Sequence, residues 1–326
     1  MKMYPSARLP AEWEPQRSVW LTWPGNPQAW AGYRDQVKQD HAHLVSMCSR
    51  YQPVDLICTT SWRAECERCL RAAKADLHQI TFHDWPVNDA WIRDTGPVVL
   101  KTETGMEAVD LPFNAWGGKF PDWEDDDRIA QRVSDLRNVP CRRFPMFGEG
   151  GGLESNGQGV LLVTESVWLN PNRNPGVGRN EMEKLFQSFF GAREIFWLQG
   201  GMSTDDTDGH IDTLARFVDA HTVVVPIPQA DDEDIRILTQ NARKLAASFH
   251  VLPLPHPLIQ NAPASYANFV FLNGAVLFPS FGTKEDELVR SVFTEVFPGR
   301  EIVAIPSRTF VEEGGAVHCL TLNEWA

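Results

Sequence analysis

The chain has 326 residues, of which 43% are hydrophobic and 22% charged, a balance typical of folded globular proteins rather than of disordered or fibrous chains. A formal net charge of −13 argues against nucleic acid as a partner, because binding to phosphates needs a basic face. No apolar run reaches the roughly 18 residues of a membrane span, none follows the early lysine as in a secretory signal, and six cysteines are too few for a disulfide framework. These features predict a cytoplasmic protein that does not bind membranes.

Strands and helices are predicted to alternate along the whole chain, which indicates an α/β fold. The predicted strands lie within 18–25, 96–100, 159–165, 221–228, 268–282 and 301–307. The predicted helices are 33–50, 61–74, 127–138, 179–191, 234–249 and 285–298. The glycine-rich stretch GEGGGLESNGQG leads into a strand rather than a helix, so it predicts a turn or a pocket rim and not a phosphate-binding loop.

Polar or aromatic residues recur beside predicted strands at intervals of roughly 50 to 65 residues. They are Trp91, Glu149, Asp212, Asn268 and Cys319. This spacing indicates a repeated unit, each copy of which contributes a residue to one centre. Since no linker or low-complexity segment interrupts the chain, we expect a single catalytic domain over residues 1–326.

Two acidic candidates have alternative roles. Asp94, in RDTGP, could cap a turn, and Glu149, between glycines, could be a solvated loop charge. Twelve tryptophans, many in glycine- and proline-rich stretches, could likewise pack over strand ends or form the aromatic walls of a ligand pocket. The residues alone leave each pair of alternatives open.

The motif GHID is more specific. If 210–218 is a strand, His210 and Asp212 project from the same face, because side chains two apart on a strand share a side. A histidine and a carboxylate on one face can act on one ligand. The alternative is a core histidine bonded to a backbone carbonyl.

The motif HCLT places His318 beside Cys319 and suggests a thiol nucleophile with its base. On a strand, however, adjacent side chains point to opposite faces, so we expect Cys319 to use another base. His210 is the better candidate.

Metal binding is the competing use of cysteine and histidine. The motif CERC, from Cys66 to Cys69, has the spacing of half a zinc site, but no second CxxC follows. We therefore predict no metal site and an ordinary helix surface there. Cys48, Cys58 and Cys141 are predicted to be small buried hydrophobic residues.

Several blocks occur together and in order: EWEPQRSVWLTWP, NDAWIRDTGPVVL, FNAWGGK, GEGGGLESNGQGVLLVTESVWLNPNRNP, TDGHIDTLARFV, ASYANFVFLNGAVLFPSFG and GGAVHCLT. In this combination the chain resembles the agmatine deiminases and the related Porphyromonas-type peptidylarginine deiminases, from about Leu9 to Thr321. The resemblance implies a five-bladed, pseudo-symmetric α/β propeller, the pentein fold, with the site at its centre.

The resemblance also implies the catalytic residues. By matching motifs, Cys319 would be the nucleophile and His210 the general acid and base. Glu149 would line the site and orient the histidine. No metal and no organic cofactor is expected.

The resemblance further implies which residues bind the substrate. Asp94 and Asp212 would hold the guanidinium group, and Trp91 would form a wall along the substrate's alkyl chain. Gly315, in the cysteine motif, belongs to the same substrate-binding set. The expected partner is a small cationic guanidino compound, and homo-oligomerisation is left open.

The leading hypothesis is hydrolysis of agmatine to N-carbamoylputrescine and ammonia. Here GHIDTLARF and CLTLNEWA depart from the blocks of agmatine-specific members, which read GHVD followed by ACF and end the cysteine motif in CITQQ. Deimination of arginine in peptides is therefore the alternative within the family. An amidinotransferase and a binding protein on a decayed fold are the two alternatives outside it.

Overall fold

The computed structural model describes residues 7–30, 32, 34–229 and 232–326; Tyr33, where the first predicted helix begins, lies outside them. The strands are β1 Gln16–Thr22, β2 Val54–Ile57, β3 Ile80–His83, β4 Val98–Thr102, β5 Gly105–Asp110, β6 Cys141–Arg143, β7 Glu154–Ser155, β8 Val160–Thr164, β9 Glu194–Leu198, β10 Arg216–Phe217, β11 Thr222–Ile227, β12 His250–Pro255, β13 Val270–Leu272, β14 Ala275–Ser280, β15 Glu301–Pro306 and β16 Leu322–Trp325.

The helices lie mainly between strands that run parallel. They are α1 Arg34–Cys48, α2 Thr60–Ala72, α3 Ile92–Thr95, α4 Ala115–Gly118, α5 Ile129–Arg137, α6 Glu165–Trp168, α7 Arg179–Phe190, α8 Ile211–Leu214, α9 Ile235–Ala246, α10 Glu285–Val296 and α11 Arg308–Val311. Among the described residues, none of these helices combines the length and the apolar character needed to cross a lipid bilayer.

In the part of the chain that the structure describes, five small sheets share one strand pattern, in which an antiparallel pair is followed by a strand parallel to its second member. In order along the chain these are β4-β5-β6, β7-β8-β9, β10-β11-β12, β13-β14-β15 and β16-β1-β2, the last extended by β3. A parallel neighbour requires a crossover connection, and α5, α7, α9, α10 and α1 supply one in each sheet. The repeated unit suggested by the spacing of polar residues is therefore present as a strand–strand–helix–strand motif.

The chain divides into two compact units. The first comprises the segment that ends at Glu14 together with Asp94–His256, and it contains three of the sheets. The second comprises Pro15–Arg93 and Pro257–Ala326 and contains the other two. In the second unit the strand β16 pairs antiparallel with β1, the first of the described strands. A single catalytic domain over 1–326 stays a prediction.

The glycine-rich stretch before β7 owes its composition to close packing within the first unit. A Cβ atom on Gly148 would lie 2.4 Å from the Trp168 ring, and one on Gly151 would lie 2.6 Å from Nδ1 of His210. Trp168 also donates a hydrogen bond from Nε1 to the carbonyl of Gly152 at 2.8 Å. Side chains at these positions would displace the ring or the histidine, so glycine is required on both sides of Glu149.

Two predictions about the remaining cysteines are wrong. Cys66 is buried against Cys58 rather than on a helix surface, and a hydrogen bond with Cys58 together with burial raises the pKa of the Cys66 thiol. Cys141 is half-buried rather than buried. Cys48 and Cys58 are buried, as predicted.

Candidate active site

Within the first unit, five buried ionisable side chains lie together: Asp94, Glu149, Arg173, His210 and Asp212. We call them the carboxylate cluster. Four of the five were predicted as site residues from the sequence. Asp94 comes from α3, and Glu149 comes from the glycine-rich stretch. The motif around α8 supplies His210 and Asp212.

The predicted strand over the GHID motif is wrong. Residues Ile211–Leu214 form one helical turn, α8, and His210 is its N-terminal cap residue. The hydroxyl of Thr213 donates to the carbonyl of His210 at 2.9 Å. The preceding Gly209 has φ +102°, and a Cβ there would lie 2.4 Å from the nitrogen of Gly201. The turn, rather than a two-residue strand period, brings histidine and carboxylate into the cluster.

His210 lies between two carboxylates. Its Nε2 is 3.3 Å from Oε2 of Glu149, and its Nδ1 is 3.7 Å from Oδ1 of Asp94. Burial opposes a positive charge on the imidazole, but Asp94, Glu149 and Asp212 outweigh it and raise the pKa of His210 to about 9. The imidazole is therefore protonated at neutral pH and can donate a proton.

Asp94 accepts hydrogen bonds on both oxygens. The indole Nε1 of Trp116 donates to Oδ2 at 3.0 Å, and the backbone N–H of Gly151 donates to Oδ1 at 3.0 Å. Burial nevertheless raises the pKa of Asp94, and the nearby charges of Glu149 and Asp212 add to that rise. A cation bound next to Asp94 would oppose both effects.

Trp116 reaches Asp94 from an uncommon backbone conformation. Ala115, Trp116, Gly117 and Gly118 all have positive φ, at 54°, 54°, 89° and 79°, so α4 is a left-handed turn. Residues other than glycine in this region cost on the order of 1–3 kcal/mol each, and such strain concentrates at functional sites. Asn114 caps the turn, with its Oδ1 accepting from the N–H of Gly117 at 2.9 Å.

A line of alternating charges connects His210 with the protein surface. Arg173 donates from Nε to Glu149 at 2.8 Å and from Nη1 to Asp208 at 2.6 Å. Asp208 in turn accepts from Nζ of Lys119 at 2.7 Å. Burial disfavours a charge on Glu149, but Arg173 and His210 overcome that penalty and lower the pKa of the Glu149 carboxyl.

Sequence reasoning missed Arg173. Its side chain is fully buried, and a buried arginine requires paired acceptors because an unpaired buried charge is costly. The available signal was its position in LNPNRNP, a polar stretch rich in turn-forming residues that follows the strand after Glu149.

Within the second unit, another group of residues surrounds Cys319: Trp91, Asn268, Gly315 and His318. We call these five residues the cysteine cluster. Cys319 is buried and lies in a turn just before β16, together with His318. The strand assumed for this pair is therefore wrong, and the opposite-face argument does not apply to it.

Asn268 holds the turn and the thiol together. Its Oδ1 accepts from the backbone N–H of His318 at 3.0 Å, and its Nδ2 lies 3.2 Å from Sγ of Cys319. The spacing of polar residues along the chain singled out Asn268, although it gave the residue no chemical role.

Gly315 lies between the Trp91 ring and the nucleophile candidate Cys319. A Cβ on Gly315 would be 2.5 Å from the Trp91 ring and 3.0 Å from Cβ of Cys319, so only glycine fits there. The carboxylate of Asp89 accepts from the indoles of Trp91 at 3.1 Å and Trp30 at 3.0 Å. Burial raises the pKa of Asp89 to about 6.

The two clusters differ in what they can do chemically. Three carboxylates against one arginine and one histidine suit the binding of an additional small cation. A buried thiol next to an amide and an indole ring suits nucleophilic attack on a bound carbon. Among the described residues, no group of three or more histidine, cysteine, aspartate or glutamate side chains is arranged to hold a metal ion.

Comparisons with known proteins agree with this chemistry. A family model described as Porphyromonas-type peptidyl-arginine deiminase matches residues 8–324. The agmatine deiminase of Pseudomonas aeruginosa strain LESB58 is 31% identical, with 97% of this chain and 95% of the relative covered.

Solved structures show the same similarity. A cysteine-to-serine variant of C. jejuni agmatine deiminase with substrate bound has a TM-score of 0.91 at 30% identity, over 98% of this chain and 96% of its own. Agmatine deiminase of Enterococcus faecalis has a TM-score of 0.90 at 26% identity, with the same coverage. These similarities confirm the predicted fold class, the α/β pentein fold.

Proposed function

Because the chain belongs to the Porphyromonas-type peptidyl-arginine deiminase family, we propose that it hydrolyses the guanidinium group of agmatine, releasing N-carbamoylputrescine and ammonia. The observation that carries the proposal is the carboxylate cluster: buried carboxylates surround a histidine whose pKa is raised to about 9. Such a site can both hold a guanidinium cation and protonate its leaving nitrogen.

Binding of the guanidinium falls to Asp94 and Asp212. A guanidinium presents its N–H groups in a flat fork, and paired carboxylate oxygens fix the plane of that fork. Trp116 and Gly151 hold the Asp94 carboxylate by its two oxygens, so the acceptor is oriented before the substrate arrives. We assign Trp91 to the wall along the alkyl chain and Gly315 to the space that this wall needs.

In the first chemical step the thiolate of Cys319 attacks the central guanidinium carbon and forms a C–S bond. His210 donates its proton to the departing nitrogen, the C–N bond breaks and ammonia leaves. The product of this step is a covalent amidino-thioether on Cys319. Glu149, bonded to the imidazole, keeps the ring in place while its charge changes.

In the second step the neutral His210 takes a proton from water, and the resulting hydroxide attacks the same carbon. The C–S bond breaks and the ureido product leaves, while the hydroxyl proton of the tetrahedral intermediate passes to solvent and is taken up by the released ammonia. Thiolate and protonated imidazole are restored. The step needs no oxidant and no cofactor. Membership in the family supports assigning Cys319 and His210 to one reaction.

The thiolate is the demanding reactant, because a cysteine of ordinary pKa, about 8.5, is only a few per cent ionised at pH 7. A guanidinium about 4 Å from the sulfur would stabilise the thiolate by roughly 4 kcal/mol at an effective dielectric near 20. We therefore expect substrate binding to lower the thiol pKa. Binding of a non-reactive guanidinium analogue that leaves this pKa unchanged would contradict that expectation.

Agmatine is the preferred substrate because the similar proteins are named agmatine deiminases. The family description itself favours the second candidate, arginine within peptides. An amidinotransferase would use the same thiol chemistry but would pass the amidino group to an amine. It would therefore release no ammonia in the absence of an acceptor.

The test measures ureido product and ammonia from agmatine, free arginine and an arginine-containing peptide. Wild-type protein is compared with Cys319→Ser and with Cys69→Ser, a control thiol that is half-buried on α2. Turnover of agmatine that is lost only in Cys319→Ser is the expected result. Turnover of the peptide instead would transfer the proposal to the second candidate, and turnover of none would refute it.

A further inference from the structure

Asn268 is a buried residue that contacts the candidate nucleophile through its side chain. It precedes β13 by two residues and is 1% exposed. Its backbone carbonyl accepts from the N–H of His318 at 3.2 Å. Its side-chain oxygen Oδ1 accepts from the same N–H at 3.0 Å. The residue is thereby fixed relative to the turn that carries Cys319.

These bonds determine which end of the side-chain amide points toward the sulfur. Oxygen and nitrogen of an amide are assigned from their hydrogen-bond partners, and a backbone N–H can only donate. The oxygen must therefore be the atom nearest the N–H of His318. This places Nδ2, which is a donor, 3.2 Å from Sγ of Cys319, nearer than Oδ1, which lies 3.5 Å from the same sulfur and can accept from the thiol.

An N–H directed at sulfur affects the two protonation states differently. The thiolate is a full anion and accepts a strong, charge-assisted hydrogen bond, whereas the thiol sulfur is a weak acceptor. A bond that is stronger to the charged form favours that form. Because the contact with Nδ2 is shorter than the contact with Oδ1, the geometry favours ionisation of Cys319 before any substrate binds.

We propose that Asn268 is a catalytic residue whose side-chain N–H donates to the sulfur of Cys319 and favours the thiolate. The catalytic role of that thiolate rests on the proposed function, but its ionisation is a property of the protein alone. It acts alongside activation by the bound guanidinium. The amide supplies part of the stabilisation in the empty site, and the cation adds to it.

The experiment measures the rate at which iodoacetamide alkylates Cys319 as a function of pH, in the absence of substrate. Mass spectrometry of the peptide that contains Cys319 separates it from the other five cysteines. Asn268→Ala removes both the donor and the acceptor. Asn268→Leu keeps the approximate volume, carries neither a donor nor a charge, and leaves the His318 N–H bonded to the backbone carbonyl of residue 268.

For both variants we expect alkylation at pH 7 to be about tenfold slower, because hydrogen bonds to charged groups are worth roughly that factor or more. The midpoint of the pH profile should move up by about one unit, and the rates should converge with wild type at high pH. Asn156→Ala is the matched control. Asn156 is also a buried asparagine, but its amide bonds only backbone groups of the first unit, so its profile should equal that of wild type.

An unchanged midpoint in either folded Asn268 variant overturns the proposal. Circular dichroism identifies which variants are folded, and Asn268→Leu answers the question where Asn268→Ala does not fold. A merely structural role would lower thermal stability without moving the midpoint. Since the alkylation assay uses no guanidino substrate, a shifted midpoint without agmatine turnover would refute the proposed function and leave this inference standing.

Discussion

The carboxylate cluster and the cysteine cluster prepare their reactive groups in opposite ways. In the first, alternating charges run from Lys119 through Asp208, Arg173 and Glu149 to His210. In the second, the sulfur lies beside a neutral amide and close to an indole ring. Charged neighbours thus keep His210 protonated, whereas Cys319 is shifted toward the thiolate by the dipole of a neutral amide.

This difference has a chemical reason. A buried imidazolium that must remain charged needs carboxylates to offset its desolvation. A thiolate has to attack carbon, and its nucleophilicity falls as its pKa falls, so fixed cations around it would make the resting anion too weak a nucleophile. Substitutions in the carboxylate cluster should therefore produce larger effects than neutral changes around Cys319, the nucleophile itself excepted.

Apart from changes of Cys319 itself, the largest effect on turnover is expected for His210→Gln, which keeps a polar side chain but cannot exchange a proton. Turnover of agmatine should fall about 10²–10⁴-fold, the usual contribution of a general acid and base. Rapid-quench measurements of ammonia and intact-protein mass should show loss of both ammonia release and thioether formation. His221→Gln, at an exposed position, is the control. A kcat within threefold of wild type would remove His210 from the mechanism.

Arg173→Met should destabilise the protein more than any surface change, because it leaves Glu149 buried without its main partner. Removal of one partner from a buried pair typically costs about 3–5 kcal/mol. Urea unfolding should show this loss, whereas Arg179→Met, which breaks an exposed pair with Glu165, should cost no more than about 1 kcal/mol. Equal losses in the two variants would contradict the buried chain of charges.

The elements that the sequence predicts correctly are those whose pattern is contained within one segment of the chain. Long helices such as α7 and α10 follow from apolar periodicity within one segment, and their predicted bounds agree with the structure. Short strands such as β6 and β7, of three and two residues, carry too little pattern to be recognised. Their pairing depends on partners elsewhere in the chain.

The candidate site shows the same limit. Asp94, His210 and Cys319 lie in motifs whose residue types are typical of catalytic sites, so they could be predicted from the sequence. The helical turn at GHID depends on the contact between Gly209 and Gly201, and the role of Asn268 depends on a residue 51 positions away. Neither contact can be recognised from a local sequence pattern. Strands were therefore predicted at the GHID motif and at Cys319, where the structure has turns.

The pH dependence of stability tests the charge on His210. Its folded pKa of about 9 exceeds the usual 6.5, so the folded protein binds the proton more tightly. This contribution is fully present below about pH 6.5 and is lost as the pH rises through about 9. Since one pKa unit is about 1.4 kcal/mol, it amounts to roughly 3 kcal/mol. Urea unfolding at pH 6.5 and 9.5 should show that loss in wild type and a smaller one in His210→Gln; identical losses would contradict a charged His210.

The smallest effect is expected for Trp116→Phe, which keeps the ring but removes the N–H donor to Oδ2 of Asp94. Because burial already raises the pKa of Asp94, loss of a donor to its carboxylate should raise that pKa further. As the pH falls, this lowers the fraction of Asp94 that is ionised and able to bind a guanidinium sooner than in wild type. We expect kcat/KM for agmatine to fall about three- to tenfold at pH 6, mainly through KM, and less at pH 8.

Trp197→Phe is the matched control for that change, since Trp197 also donates from Nε1 to a carboxylate, that of Glu183, at 2.9 Å. It should leave kcat/KM unchanged at both pH values. If Trp116→Phe instead lowers kcat equally at every pH, the indole N–H acts by orienting the Asp94 carboxylate and not by keeping it ionised. The strained backbone of Ala115 and Trp116 would then serve to position the Asp94 carboxylate. One hydrogen bond fewer would contribute to the electrostatic stabilisation that distinguishes the carboxylate cluster from the cysteine cluster.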